Sequence, residues 1–300
     1  MGRCYSLPMS LSPLTRTSFG RRPRILAALA AAAILAVGVT TLACAQAGSG
    51  ATQARGAAPS VQARSGILIE RQSGKVLWKK NPDLRLAPAS CTKIMTALLI
   101  LERYKDLGRY VRVPSAATEH QTVAVGLMPG DHITVQQALR ALLIKSANDA
   151  AITLAYAVGG NEPGFVALMN QRAKQLGLTN THFVNSRGTP KPGHYSSARD
   201  LARLGRYAMR DARFRAIVST KTTVIRWPPS HAVSVTSHNR LLDYPWGNGI
   251  KTGATQQSKM VLVGSGKPGL VPLIVVTMRE PSRDQEEKDA VALFMWGSAL

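Results

Sequence analysis

Strand-like text stands at both ends of the body of this chain and helical text fills its middle, and few folds accommodate that order. Gly66-Ile67-Leu68-Ile69-Glu70 and Lys75-Val76-Leu77-Trp78-Lys79 flank the Gly-containing turn Arg71-Gln72-Ser73-Gly74, which predicts a β-hairpin. After residue 215, the stretches Thr222–Trp227, Val233–Ser237, Gly249–Gly253, Met260–Gly264 and Val271–Thr277 read as strands, and Gln285–Trp296 as a closing helix. Between them, apolar residues recur at helical spacing over 87–101, over Ile133–Val158 with an interruption near Ser146, over Phe165–Leu176 and over Ser197–Met209. The expectation is an α+β fold: one antiparallel sheet built from both ends of the chain and flanked by helices, plus an inserted, mainly helical subdomain.

The front of the chain obeys different rules. Arg21-Arg22-Pro23-Arg24 precedes an uncharged run from Ile25 to Ala45, and Ala43-Cys44-Ala45 has the small-x-small form of a cleavage site, so residues 1–45 resemble a secretory signal. The 21 uncharged residues are also long enough to span a bilayer uncut, so an N-terminal anchor stays open. Residues 46–65, rich in Gly, Ala, Ser and Gln, read as a flexible linker, and 66–300 as the catalytic domain. Cys4 and Cys44 fall in the front segment, which leaves Cys91 alone in the body and excludes a disulfide within it. Of the net +22, five arginines belong to the acid-free front segment, leaving 33 minus 16, or +17, on the remainder. The basic residues are scattered, aromatics are 5%, and no nucleic-acid-binding motif is visible. The charge describes a solvated basic surface suited to anionic surroundings.

The chemistry starts in Ala87-Pro88-Ala89-Ser90-Cys91-Thr92-Lys93, at the entrance of the first predicted helix. Ser90 and Lys93 stand three residues apart, so a hydroxyl and an amine share one face near the positive end of the helix dipole. Two more short runs follow in order: Ser146-Ala147-Asn148, and Lys251-Thr252-Gly253 on a predicted strand. Lys251 supplies a fixed positive charge, Thr252 a hydroxyl, and Gly253 a position where a substrate backbone can approach a strand edge. Ser146 offers a proton-relaying hydroxyl, and Asn148 an amide able to bond both Lys93 and a substrate carbonyl. Each run alone is weak, and the ordered triple is much stronger. No His/Cys/Asp/Glu set has metal-ligand spacing, and no cofactor is implied.

These residues, with Gly74-Lys75-Val76-Leu77, Leu176-Gly177-Leu178-Thr179-Asn180-Thr181 and His194-Tyr195-Ser196-Ser197-Ala198-Arg199-Asp200, resemble the serine D-alanyl-D-alanine carboxypeptidases, the low-molecular-mass penicillin-binding proteins, over nearly all of 66–298. The resemblance implies a β-lactamase/transpeptidase-like fold, an exported protein of the periplasm or cell wall space, peptidoglycan stem peptides as substrates and β-lactams as covalent inhibitors. It implies no nucleic-acid partner, and membrane contact only through a retained N-terminal segment.

By the same resemblance Ser90 is the nucleophile, Lys93 the general base, Ser146 the proton donor to the leaving amine and Asn148 the holder of the substrate amide. Lys251 and Thr252 receive the terminal carboxylate, beside Gly253, and the backbone N–H groups of Ser90 and Ala254 form the oxyanion hole. A carboxylate-binding arginine is also implied, with Arg240 and Arg283 as candidates. His194 reads as a structural histidine at a helix entrance and Cys91 as a small buried neighbour. With 47 residues after Gly253, no C-terminal β-domain is expected. Three rival readings remain: a class A β-lactamase, a D,D-endopeptidase acting on cross-links, and a silent wall-binding or β-lactam-sensing module. The first needs a deacylating glutamate; Glu162 stands too early, and none lies between Pro163 and Arg279.

Overall fold

The computed structural model describes residues 56–118 and 122–300. The signal segment 1–45 and the linker residues 46–55 lie outside the described residues. In chain order the strands are β1 (Ser65–Glu70), β2 (Val76–Lys80), β3 (Tyr110–Arg112), β4 (His132–Thr134), β5 (Thr222–Trp227), β6 (His231–Thr236), β7 (Gly247–Thr255), β8 (Lys259–Gly266) and β9 (Leu273–Glu280). The helices are α1 (Lys93–Arg103), α2 (Val135–Arg140), α3 (Asn148–Gly159), α4 (Glu162–Gln175), α5 (Ala198–Ala208), α6 (Ala212–Val218) and α7 (Arg283–Ser298).

The main sheet is antiparallel with strand order β2-β1-β9-β8-β7, so both ends of the body build it, as the strand text implied. Its central strands are uninterrupted apolar runs because both faces are covered. Alternate residues divide between two cores: Ile67, Ile69, Val261, Val263, Ile274 and Val276 face the helical side, while Leu68, Leu262, Leu273 and Val275 join Leu293 and Phe294 of α7 on the other. Among the described residues the first core is built within residues 67–278 and the second within 61–294.

The helix predicted over 87–101 runs through the middle of the domain: Lys93 through Leu98, Ile100 and Leu101 are all buried, between the sheet and the helical subdomain. Helix ends carry ordinary signals. Asn161, Ser197, Asp211 and Ser282 cap the first turns of α4, α5, α6 and α7, and Gly160, at φ 73°, ends α3. Gly159 cannot carry a side chain, since a Cβ there would lie 2.4 Å from Phe165 N.

Three details depart from the sequence reading. The linker stops short of residue 65: Val61 and Ala63 are buried in the α7 core, and Gln62 N–H donates to Asp289 at 2.5 Å, because the apolar side chains at 61 and 63 point the same way off an extended chain. The strands at 222–227 and 231–236 form a separate hairpin off the main sheet, tied to the helical subdomain where Trp227 Nε1–H donates to Asp131 at 2.9 Å. The short elements β3, β4 and α6 were not anticipated, since three- and seven-residue pieces carry too few repeats to show a period. Among the described residues no helix is long and apolar enough to cross a membrane.

Candidate active site

Ser90 does not sit on α1 but on a single 3₁₀ turn, Ala89–Thr92, that leads into it. Ala89 is held at φ 48°, a backbone region that L-residues populate sparsely. Two glycines press against this turn and explain how it is held. A Cβ on Gly188 would lie 1.8 Å from Ala89 O, and one on Gly253 would lie 2.9 Å from Ser90 N. Strand β7 and the 185–189 loop therefore close on the Ser90 turn from two sides.

Lys93, the first residue of α1, is fully buried, and its Nζ has three neighbours: Ser90 Oγ at 3.1 Å, Asn148 Oδ1 at 2.8 Å and the Arg187 carbonyl at 2.7 Å. Burial, reinforced by the nearby charges of Lys251 and Arg187, holds the amine well below the ordinary lysine range. A neutral amine has two N–H donors and one lone pair. With the donors taken by Asn148 and Arg187, the lone pair is left facing the Ser90 hydroxyl, which is the geometry a proton acceptor needs.

Asn148 opens α3, and its own N–H donates to Val123 O at 2.7 Å. The next residue anchors the same wall: Asp149 Oδ2 accepts the N–H groups of Val125, Gly126 and Leu127 at 3.0 to 3.1 Å. Ser146 lies between a π-turn at Ala141–Lys145 and α3, in the left-handed region at φ 68°, which accounts for the break in helical spacing. Its Oγ is buried and has no hydrogen-bond partner among the described residues.

Lys251 and Thr252 are buried on β7, the edge strand of the sheet, with Gly253 against the Ser90 turn and Ala254 exposed beyond it. Lys251 Nζ donates to Thr252 O at 2.8 Å, and burial lowers its pKa to about 8. Cys91 fills the space behind: its Sγ is fully buried, faces Lys251 O at 3.5 Å, and burial pushes the thiol up to about 12, so it is a packed neutral group. The buried imidazole of His194 accepts Val184 N–H at Nδ1, which leaves Nε2–H to donate to Thr92 Oγ1 at 2.8 Å. Burial drops its pKa to about 4 and keeps the ring neutral, as a structural histidine should be.

Arg240 pairs with Asp284 and Glu287, and Arg283 with Glu286, all on α7; of the two candidates, Arg283 brings its charge within range of Lys251. What the sequence reading missed is the loop 185–189. Asn185 Oδ1 gathers the N–H groups of Arg187, Gly188 and Thr189 at 2.7 to 3.2 Å, which turns the Arg187 carbonyl toward Lys93. Glu162 fastens the loop to α4 by accepting Ser186 N–H, Ser186 Oγ–H and Arg187 NH2. The Asn-x-x-Gly spacing was a legible turn signal, but nothing in it pointed to the nucleophile. Among the described residues no group of three or more His, Cys, Asp or Glu could hold a metal ion.

The sequence pattern of the family described as D-alanyl-D-alanine carboxypeptidase matches residues 52–282. The chain belongs to that family. The D-alanyl-D-alanine carboxypeptidase DacF of Bacillus subtilis is 39% identical over 72% of this chain, and DacC of Escherichia coli 34% identical over 80%. This chain spans 57% and 62% of those two proteins' own length. Among solved structures, the Streptomyces K15 DD-transpeptidase superposes with a TM-score of 0.78 at 30% identity, covering 81% of this chain and all of that one. The α+β D-alanyl-D-alanine carboxypeptidase fold expected from the motifs is thus the fold observed.

Proposed function

We propose that this protein is a serine D,D-carboxypeptidase that removes the terminal D-alanine from peptidoglycan stem pentapeptides. The observation that carries this reading is the Lys93 amine 3.1 Å from Ser90 Oγ with its donors engaged elsewhere. Ser90 Oγ attacks the carbonyl between the two D-alanines as its proton passes to Lys93, and the carbonyl oxygen takes the negative charge facing the N–H groups of Ser90 and Ala254. Such donor pairs are worth about 100-fold or more in rate. The C–N bond then breaks as Ser146 passes a proton to the leaving amine and is reprotonated by the Lys93 ammonium, so D-alanine departs from an acyl-ester on Ser90 with Lys93 neutral again. Water hydrolyses the ester with Lys93 accepting its proton and returning it to Ser90 Oγ. Asn148 holds the substrate amide, and Lys251 with Thr252 binds the terminal carboxylate beside Gly253.

A β-lactam enters the same path and stays: Glu162, which fastens the 185–189 loop, is committed to Ser186 and Arg187 instead of activating a deacylating water. That disfavours the β-lactamase reading. The protein acts outside the cytoplasmic membrane, in the periplasm or wall space, after export by its N-terminal segment.

The test is incubation of residues 46–300 with a stem pentapeptide and, separately, with a cross-linked dimer, read by mass spectrometry. Loss of one alanine is expected, together with fluorescent-penicillin labelling that Ser90→Ala abolishes. Splitting of the dimer alone would assign the endopeptidase activity instead. Undiminished labelling of Ser90→Ala would remove Ser90 from its role.

A further inference from the structure

At the end of the sheet where β1 turns into β2 and β8 into β9, the surface changes character. Leu270 is 91% exposed and Val271 42%, at the tip of the 267–272 turn, and Val76 on β2 is 39% exposed. Met295 of α7 is 51% exposed. The two turns are joined, since Arg71 N–H donates to Pro272 O at 2.8 Å, and the 267–272 turn rests on the end of α7, where a Cβ on Gly269 would meet Ser298 at 3.2 Å. A cavity of about 300 Å³ opens between them, lined by Val76, Leu77, Leu270, Val271 and Trp296.

Exposed Lys75 and Lys267, with half-buried Arg71, border this apolar ground. The one acid in the cavity wall, Glu70, is engaged by Ser73 at 2.6 Å and Lys75 at 3.6 Å. From Val291 to Leu300 the sequence has no charge at all. Apolar side chains projecting from adjacent turns inside a basic border, with an indole at the margin, match the layering of an anionic lipid surface: headgroup phosphates outside, acyl chains within.

Trp296 Nε1–H donates to the Gly56 carbonyl at 2.8 Å, so the described chain begins at this same end of the domain. Ten residues separate Ala45, the last of the uncharged run, from Gly56, a span of at most about 35 Å.

We propose that the Leu270–Val271 turn, with Val76 and Met295 and the basic border of Arg71, Lys75 and Lys267, is a docking surface for anionic phospholipid that seats the catalytic domain on the membrane. The probe is vesicles of phosphatidylglycerol mixed with phosphatidylcholine, against phosphatidylcholine alone, in a flotation assay with residues 46–300, which contain both cores. The protein floats with the anionic vesicles, about ten-fold less with neutral ones, and is released by about 0.5 M salt. Leu270→Ser with Val271→Ser, and separately Lys75→Glu with Lys267→Glu, each lower flotation about ten-fold while fluorescent-penicillin labelling is unchanged. Absence of flotation by the unaltered protein, or flotation indifferent to the Leu270/Val271 change, would overturn the proposal. Self-association in sedimentation that the same change abolishes would assign the patch to a second copy and overturn it too.

Discussion

Lys93 Nζ lies 2.7 Å from the carbonyl oxygen of Arg187, a residue 94 positions away whose side chain points elsewhere. This contact consumes one donor of the amine and so helps aim its lone pair. Replacing Lys93 by Arg puts a permanent cation in place of the neutral amine and removes the titratable lone pair. The expected result is a loss of about 1,000-fold in the rate of penicillin acylation, in line with removal of a general base, measured by stopped-flow fluorescence on a protein with an unchanged melting temperature.

The pH profile of carboxypeptidase activity should be bell-shaped. Lys93 must be neutral to act, and its lowered pKa places the rising limb below the ordinary lysine range. Lys251 must be charged to hold a carboxylate, and its lowered pKa of about 8 makes kcat/KM fall as pH rises through that value. A peptide ending in a carboxamide has no carboxylate for Lys251, so its slower hydrolysis should lack the falling limb. A limb that persists with the amide would take Lys251 out of carboxylate recognition.

Gly188→Ala should damage the site without touching any reactive group. The position has φ 87°, and the new methyl would lie 1.8 Å from Ala89 O, so the loop must retreat from the Ser90 turn. We expect about 2 kcal/mol of destabilisation and about a 100-fold slower acylation, read by thermal melting and penicillin labelling of the same sample.

Asp149→Asn tests the wall that carries Asn148. The carboxylate accepts four backbone N–H groups, those of Val125, Gly126 and Leu127 at Oδ2 and that of Ala150 at Oδ1, and the amide replacement keeps one oxygen while turning an N–H2 group toward the N–H donors on the other side. A loss of about 3 kcal/mol in urea denaturation is expected, with faster hydrogen exchange at Val125 and Leu127. Unchanged exchange there would mean that the loop is held by other contacts.

Glu280 should make the fold sensitive to alkali. It is fully buried at the end of β9, both its oxygens lack hydrogen-bond partners among the described residues, and burial, then the neighbouring Asp289, raises its pKa to about 8. The unfolded chain loses this proton near the ordinary glutamate value while the folded chain keeps it. Stability therefore declines as pH rises from the unfolded pKa to about 8, with a limiting slope of about 1.4 kcal/mol per pH unit. Glu280→Gln should flatten melting temperature over that range, and an unaltered slope would locate the dependence in another group.

Most of this architecture was legible where the sequence signal and the physics coincide. Strands β8 and β9 carry apolar runs because both faces are buried, and Ser90, Lys93, Asn148, Lys251 and Thr252 were legible because the expected chemistry needs particular side chains. The loop 185–189 was invisible for the opposite reason: it contributes a backbone carbonyl, which every residue type supplies. Arg240 and Arg283 could not be told apart in the sequence, because their ion pairs with Asp284, Glu286 and Glu287 show only once the start of α7 is placed. Ser90 was assigned to the helix proper, since the tight turn at Ala89 depends on two glycines, Gly188 and Gly253, that lie far away in the chain.

The strand order has a consequence for timing. Ile67 pairs with Val276, 209 residues later, so the hairpin made first has its inner edge unoccupied until the last strand arrives. Contacts of such span form slowly. Because Lys251, Gly253 and Val261 follow Ser90 by more than 160 positions, a chain emerging N-terminus first carries Ser90 without the floor beneath the turn that shapes it until they are made. A product truncated before residue 251 should therefore not be labelled by penicillin at Ser90.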